Sequence, residues 1–144
     1  MGTATIVFDA ETGKYKRHWG AYGHKPDDTD LGNYNPDAPP AQQFRNPVHC
    51  ADLSVDRLLY VCDRVNDRIH ILLRDTLEVL TTFGEGGRQP GEFYGPHSIA
   101  TDSKGNIYVT ETYRGQRVQK FVYKGLGPVT KEDQGVLWPK TTKK

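Results

Sequence analysis

This 144-residue sequence has two cysteines, no long hydrophobic run and no excess of charge of one sign. No run of about 18 apolar residues occurs, so no membrane-spanning helix is predicted. The 19 basic residues nearly balance the 18 acidic ones, and this balance favours neither nucleic acid nor acidic membranes as partners. The N-terminus lacks the charged, apolar and small-residue regions of a signal peptide, and the compartment stays open.

The two cysteines, Cys50 and Cys62, fall on neighbouring predicted strands. A one-residue change of register would place them face to face or on opposite faces of a sheet. Buried thiols are the favoured prediction, and a disulfide is the alternative. A metal site built on two cysteines is poorly supported.

Short segments rich in Ile, Val, Tyr and Thr follow one another in the second half of the chain. They span 97–101, 106–110 and 117–123, and clusters of Gly, Asp and Ser separate them. Segments of about five residues bounded in this way are typical of β-strands. Three of them joined by tight connections predict an antiparallel meander.

The same pattern occurs 48 residues earlier, where His49 aligns with His97 and Asp63 with Glu111. A shorter match with a shift of 64 residues relates 6–20 to 70–84. Self-similarity with a period of about 40–50 residues in a sequence of short strands predicts blades arranged around an axis. The first copy supplies only the third and fourth strands of a blade.

The sequence therefore predicts a single all-β domain, a partial β-propeller of about two and a half four-stranded blades. Its predicted segments are a half blade (1–20), a long loop (21–47), a complete blade (48–84), an inter-blade loop (85–96), a last blade (97–139) and a basic tail (140–144). The third strand of the complete blade is expected to be apolar on both faces, and the glycine-rich connection after this blade is expected to be flexible. Since propellers close with about four to eight blades, we expect self-association that completes a ring, or a chain that is a piece of a longer propeller.

The last copy resembles the NHL repeat, whose pattern combines a proline, an aspartate, Gly-Asn before a strand, an acidic residue, a polar loop and an arginine before an aromatic. The residues that carry it are Pro96, Asp102, Gly105, Asn106, Ile107, Tyr108, Val109, Glu111, Arg117, Val118 and Phe121. In the earlier copy Arg57 and Leu58 replace Gly-Asn, which leaves the geometry of that turn open. The resemblance covers roughly residues 3–124 and implies a six-bladed type of propeller without specifying a function.

Two histidines stand at the start of the predicted first strands, which line the axis of a propeller. The loops 63–67 and 111–116 are predicted to rise on the same face as these histidines. The side chains expected to converge there are His49, His97, Arg64, Asn66, Tyr113 and Arg114. Among them, Asn66 and Arg114 are predicted to bind a ligand.

This set is similar to the site of the peptidyl-hydroxyglycine amidating lyases, a group within the NHL-like proteins that holds zinc with three histidines. The resemblance implies metal binding by His49 and His97 and catalytic roles for Arg64 and Tyr113. Tyr113 shares a blade with His97, which departs from the lyase order. A catalytic zinc needs three protein ligands and an open position, whereas the repeated position supplies two histidines, and strand capping is the alternative role for them.

Two functions follow from these observations. The first is a scaffold that binds a protein or small-molecule ligand on its loop face. The alternative is a zinc-dependent enzyme similar to the amidating lyases, or a fragment of one. Nucleic acid ranks below both, because the near-neutral charge provides no basic stripe.

Overall fold

A computed structural model describes residues 4–35 and 37–125, which form nine strands in three antiparallel sheets. The first sheet contains β1 (Thr5–Phe8) and β2 (Tyr15–Trp19). The second contains β3 (Cys50–Leu53), β4 (Leu58–Asp63), β5 (Arg68–Leu73) and β6 (Val79–Phe83). The third contains β7 (Pro96–Thr101), β8 (Ile107–Glu111) and β9 (Val118–Phe121).

Successive sheets of two, four and three strands, each in chain order, confirm the all-β, partial propeller fold. Helical structure within the described residues is limited to the 3-10 turns Ala21–Gly23 and Arg64–Asn66. No described helix has the length and apolar character needed to cross a membrane. The end of the predicted last blade and the basic tail lie outside the described residues.

A hydrophobic core lies between each pair of neighbouring sheets. The first is formed by Trp19, Ala21, Tyr22, Phe44, Leu59, Val61 and Leu72. The second is formed by Tyr60, Cys62, Ile69, Phe93, Ile99 and Val109. Alternate residues of β4 enter opposite cores because successive side chains of a strand point to opposite faces. The middle sheet is thus covered on both sides, as an inner blade of a propeller would be.

The connections between the sheets contribute more to these cores than their composition predicts. Tyr22 and Phe44 lie near the two ends of the long loop and are buried, and Phe93 of the inter-blade connection is fully buried. The backbone of Phe93 bonds to Glu85 and Gly87, so the flexible connection that was predicted is instead folded against the sheets. Gly84 has a φ of +95°, and a Cβ there would lie 2.3 Å from the Phe93 ring, so only glycine fits.

Strand β5 differs from the prediction that both its faces are apolar. Arg68 and His70 are buried in it, with 4% and 0% of their surfaces exposed. Arg68 pairs with Asp63 at 2.8 Å, and its guanidinium donates to the hydroxyl of Tyr22 at 2.7 Å. The strand therefore carries a buried polar network that joins the long loop to the middle sheet.

Cys50 and Cys62 form a disulfide, so the favoured prediction of free thiols is wrong. The two residues are direct partners in the register of β3 and β4, and their Cα atoms are 4.9 Å apart. This separation lies within the range that a disulfide spans. The composition of the strands does not determine this register, which is why sequence reasoning left the pairing open.

The turn at Arg57 keeps the geometry of its glycine-containing counterpart. Arg57 has a φ of +69° and the equivalent Gly105 a φ of +77°. The hydroxyl of Ser54 accepts the N–H of Leu58 at 3.0 Å, as the carboxylate of Asp102 accepts the N–H of Asn106 at 3.0 Å. Side-chain capping from the end of the first strand therefore holds both turns in one conformation.

Candidate functional site

The candidate site lies where β3 and β7, the first strands of the two larger sheets, run side by side. His49 directly precedes β3 and His97 is the second residue of β7. Nδ1 of His49 donates to the carbonyl oxygen of His97 at 3.0 Å, and the ring centroids are 3.9 Å apart. Since a carbonyl only accepts, Nδ1 of His49 carries a proton in this contact.

Arg64 extends from the loop after β4 to the neighbouring sheet. Its Nη2 donates to Oγ1 of Thr112 at 3.3 Å, and the centre of its guanidinium lies 5.0 Å from the ring centroid of Tyr113. Tyr113 has a φ of 52° and is 75% exposed, so its ring projects from the loop between β8 and β9. The exposed tyrosine and the half-buried arginine thus bridge the junction of two blades.

Asp67 fixes the position of the Arg64 loop relative to β7. Its Oδ1 accepts the N–H of Gly95 at 2.7 Å, and the carbonyl of Gly95 accepts the N–H of Thr112 at 3.3 Å. Gly95 therefore joins both loops just before His97. Asp67 and Thr112 were missed by sequence reasoning, because their identities give no signal for contacts between blades.

A buried carboxylate that pairs with an arginine stabilises each of the loops 63–67 and 111–116. Asp63 accepts from Nε of Arg68 at 2.8 Å, and Glu111 accepts from Nε of Arg117 at 2.6 Å. The side chains of both acids are fully buried, and such groups need paired charges to offset the loss of water. This pairing gives a structural role to the acidic and arginine positions of the repeated pattern.

Loss of water shifts the pKa values of two groups in the site, His97 and Asp67. The pKa of His97 is lowered, first by loss of water and then by the positive potential of His49 and Arg64. Burial raises the pKa of Asp67 to about 6, with help from Glu111 and Asp63, while the Gly95 N–H and Arg64 act in the opposite direction. Arg64 acts on both groups, because its positive charge lowers the pKa of His97 and that of Asp67.

The structure brings together four of the six residues that the sequence analysis placed here: His49, His97, Arg64 and Tyr113. Asn66 is buried instead, and its amide donates to Asp63 at 2.8 Å and to the carbonyl of Gln43 at 3.1 Å. Arg114 is exposed beside Tyr113, and its backbone carbonyl oxygen accepts from Nη2 of Arg88 at 3.1 Å.

A zinc site at His49 and His97 needs at least one further protein ligand nearby. Within residues 4–35 and 37–125 no group of three or more His, Cys, Asp or Glu side chains could hold a metal ion. The two imidazoles supply two of the three protein ligands of a catalytic zinc, so these residues do not fit such a site by themselves.

A pocket of 270 Å³ lies between the long loop and the Arg64–Asn66 turn. Phe44 and Val65 contribute apolar surface, and Asp28, Asp30 and Arg45 contribute charge. Arg45 donates to the carbonyl of Leu31 at 2.9 Å and to the amide oxygen of Asn66 at 2.8 Å. The guanidinium thus connects the long loop to the turn that carries Arg64.

Comparison with known proteins relates one part of the chain to a family. Residues 93–121 match the family model of the NHL repeat. No curated protein sequence matches the chain. The matched segment begins at Phe93 and ends at the last residue of β9, and it includes His97, Glu111, Tyr113 and Arg117. The match supports the NHL-repeat resemblance for the three-stranded sheet and does not extend to the amidating lyases.

Proposed function

We propose that the chain is a propeller-type binding scaffold whose loop face holds a protein or small-molecule ligand at the junction of the two larger sheets. The observation that carries the proposal is the contact of Arg64 with the exposed ring of Tyr113, across the junction and next to the paired imidazoles. Exposed aromatic and arginine side chains are the groups that binding surfaces favour.

The polar side chains at the loop face divide into two classes. Asp63, Asn66, Arg68 and Glu111 are buried or satisfied within the fold, and they stabilise the loops. Arg64 and Tyr113 have no ion-pair partner within the described residues and remain accessible from solvent. The second class is therefore available for a ligand.

Photo-crosslinking tests this proposal. The photoreactive residue p-benzoylphenylalanine would replace Tyr113, or, as the control, Val55, which is 76% exposed in the turn at the opposite end of the sheets. We expect a discrete crosslinked product in an extract of the source cells for the first position only, and its loss when Arg64→Ala is added. A small ligand would instead raise the melting temperature of the wild type more than that of Arg64→Ala. Equal crosslinking at both positions, with no ligand-dependent stabilisation, would contradict the scaffold.

The second candidate function is a zinc-dependent activity similar to that of the amidating lyases. It is favoured by the close approach of the His49 and His97 rings, whose centroids are 3.9 Å apart, beside Arg64 and Tyr113. A third ligand would have to come from residues outside the described ranges or from a second chain. Stoichiometric zinc in the purified protein, lost in both His49→Ala and His97→Ala, would support this function. Absence of zinc after growth in zinc-supplemented medium would exclude it.

A further inference from the structure

Three arginines on the loop face differ from the other arginines of their sheets. Arg57, Arg68 and Arg117 pair with Asp75, Asp63 and Glu111. Arg64, Arg88 and Arg114 pair with no carboxylate among residues 4–35 and 37–125. Unpaired guanidinium groups at a surface leave a local positive potential that the near-neutral total charge conceals.

The three arginines form one surface with two tyrosines. Arg64 lies 5.0 Å from the ring centroid of Tyr113, which directly precedes Arg114. Nη2 of Arg88 donates to the carbonyl oxygen of Arg114 at 3.1 Å, and its guanidinium lies 5.8 Å from the ring centroid of Tyr94. We call these five residues the arginine–tyrosine surface.

Three nearby carboxylates form no ion pair with these arginines, and each is bonded elsewhere in the fold. Glu92 accepts the N–H of Gln89 at 2.7 Å, within its own loop. Glu111 is buried and accepts from Arg117 and from the N–H of Tyr94 at 2.6 Å. Asp67 is buried and accepts the N–H of Gly95. These three carboxylates thus accept from backbone N–H groups or from Arg117 rather than from Arg64, Arg88 or Arg114.

We propose that the arginine–tyrosine surface binds an acidic, extended segment of a partner protein. The proposal rests on the scaffold function and names the partner class for the same loop face. A guanidinium presents a planar fork of donors that matches a carboxylate, and its position over a tyrosine ring reduces the freedom lost on binding. The two tyrosine rings provide flat contact area between the charged groups.

Protein carboxylates fit this surface better than the phosphates of a nucleic acid. The surface contains three cations, whereas nucleic acid binding typically relies on a longer basic groove. The neighbouring long loop carries exposed Asp27, Asp28 and Asp30, which would repel a phosphate backbone that extended beyond the arginines. A short acidic segment avoids that repulsion.

Fluorescence anisotropy with the full chain and a fluorescein-labelled hexaglutamate peptide tests the proposal. We expect saturable binding that weakens as salt is added. Each single variant, Arg64→Gln, Arg88→Gln or Arg114→Gln, should weaken binding about threefold, and the triple variant about thirtyfold. Arg64→Lys should retain part of the affinity, because the charge remains and the fork is lost.

A matched control removes three cations from the opposite end of the sheets, with Lys14→Gln, Arg74→Gln and Lys104→Gln combined. It has the same net charge as the triple variant, and it should bind the peptide as the wild type does. Equal losses in the two triple variants would overturn the proposal, because the effect would then follow total charge. Tighter binding of fluorescein-labelled oligouridylate than of the peptide, lost in the first triple variant, would assign the surface to nucleic acid instead. Site-specific crosslinking at Tyr113 without peptide binding would preserve the scaffold and remove only the acidic partner class.

Discussion

Arg57 occupies a backbone conformation that glycine adopts at lower cost. Its φ of +69° lies in the left-handed region, which costs a residue with a Cβ about 1–2 kcal/mol. Arg57→Gly should therefore unfold at higher urea concentration than Arg57→Ala, by about 1 kcal/mol in the free energy of unfolding. Both variants lose the exposed pair with Asp75, so their comparison isolates the backbone contribution. A less stable Gly variant would show that the turn does not strain Arg57.

Asp67 should make stability depend on pH in a direction unusual for a carboxylate. Its pKa in the folded protein, about 6, lies above the ordinary value of 3.8, so the folded state binds more protons between these values. This contribution to stability is present below pH 4 and is lost as the pH rises to about 6. Asp67→Asn should therefore gain stability relative to the wild type over that range, by at most about 3 kcal/mol, in urea titrations at each pH.

Asp75 provides the control for this measurement. Its pKa is lowered, chiefly by the hydrogen bond from Arg57. The contribution of this carboxylate is therefore lost as the pH falls, and Asp75→Asn should show a difference of opposite sign. A pH-independent difference for Asp67→Asn would mean that the carboxyl ionises in the fold as it does in water.

The cysteine pair and the histidine pair illustrate how far individual residues could be predicted. Both histidines were placed together because they occupy one repeated position at the start of a first strand. The disulfide was only the alternative prediction, because it depends on a strand register that differs by one residue between two plausible pairings. Asn66 was misplaced because a polar residue in a loop gives no sign that it will be buried.

At the scale of elements, the loop after each second strand depends on one buried carboxylate. Asp63→Ala should cost about 3–5 kcal/mol in the free energy of unfolding, since it leaves Arg68 buried without its partner. Chemical denaturation measures this loss. Asp75→Ala, which removes the exposed partner of Arg57, should cost much less, because water and salt screen an exposed pair. Similar costs for the two substitutions would mean that burial does not distinguish these ion pairs.

Strands were more predictable than the connections between them. Short segments rich in Ile, Val, Tyr and Thr, repeated 48 residues apart, identify most strands of the two larger sheets, because such residues favour extended backbone. The connections contribute Tyr22, Phe44 and Phe93 to the cores, although the surrounding sequences are polar and rich in glycine or proline. A single aromatic in such a segment does not reveal which sheet it contacts. The sequence therefore predicted the blades better than the loops that hold the candidate site.

At the scale of the whole molecule, the two outer faces of the sheet stack have different character. Ile6, Phe8 and Tyr15 of the first sheet are each more than half exposed, at 51%, 56% and 56%. On the last sheet, Ser98, Thr110 and Lys120 stand where the middle sheet has Cys50, Cys62 and Ile71. The first face carries three exposed apolar side chains, whereas the second combines these polar residues with the exposed Val118.

We therefore expect self-association through the first sheet. Sedimentation at micromolar concentrations should show a mass that rises with concentration, because exposed apolar faces favour contact with another surface. Phe8→Ser combined with Tyr15→Ser should shift the protein toward monomer, and Val118→Ser on the last sheet should have a smaller effect. A monomer at every concentration, with a single cooperative thermal transition, would contradict this expectation.

The disulfide between Cys50 and Cys62 encloses the exposed turn at Arg57, whose side chain is 63% accessible. Turns of this kind are preferred sites for proteolytic cleavage. A trypsin cut after Arg57 would leave both pieces covalently joined, so the cleaved protein would migrate as one band on a gel until a thiol was added. The crosslink thus keeps the two strands of the turn in one molecule even after the polypeptide between them has been severed.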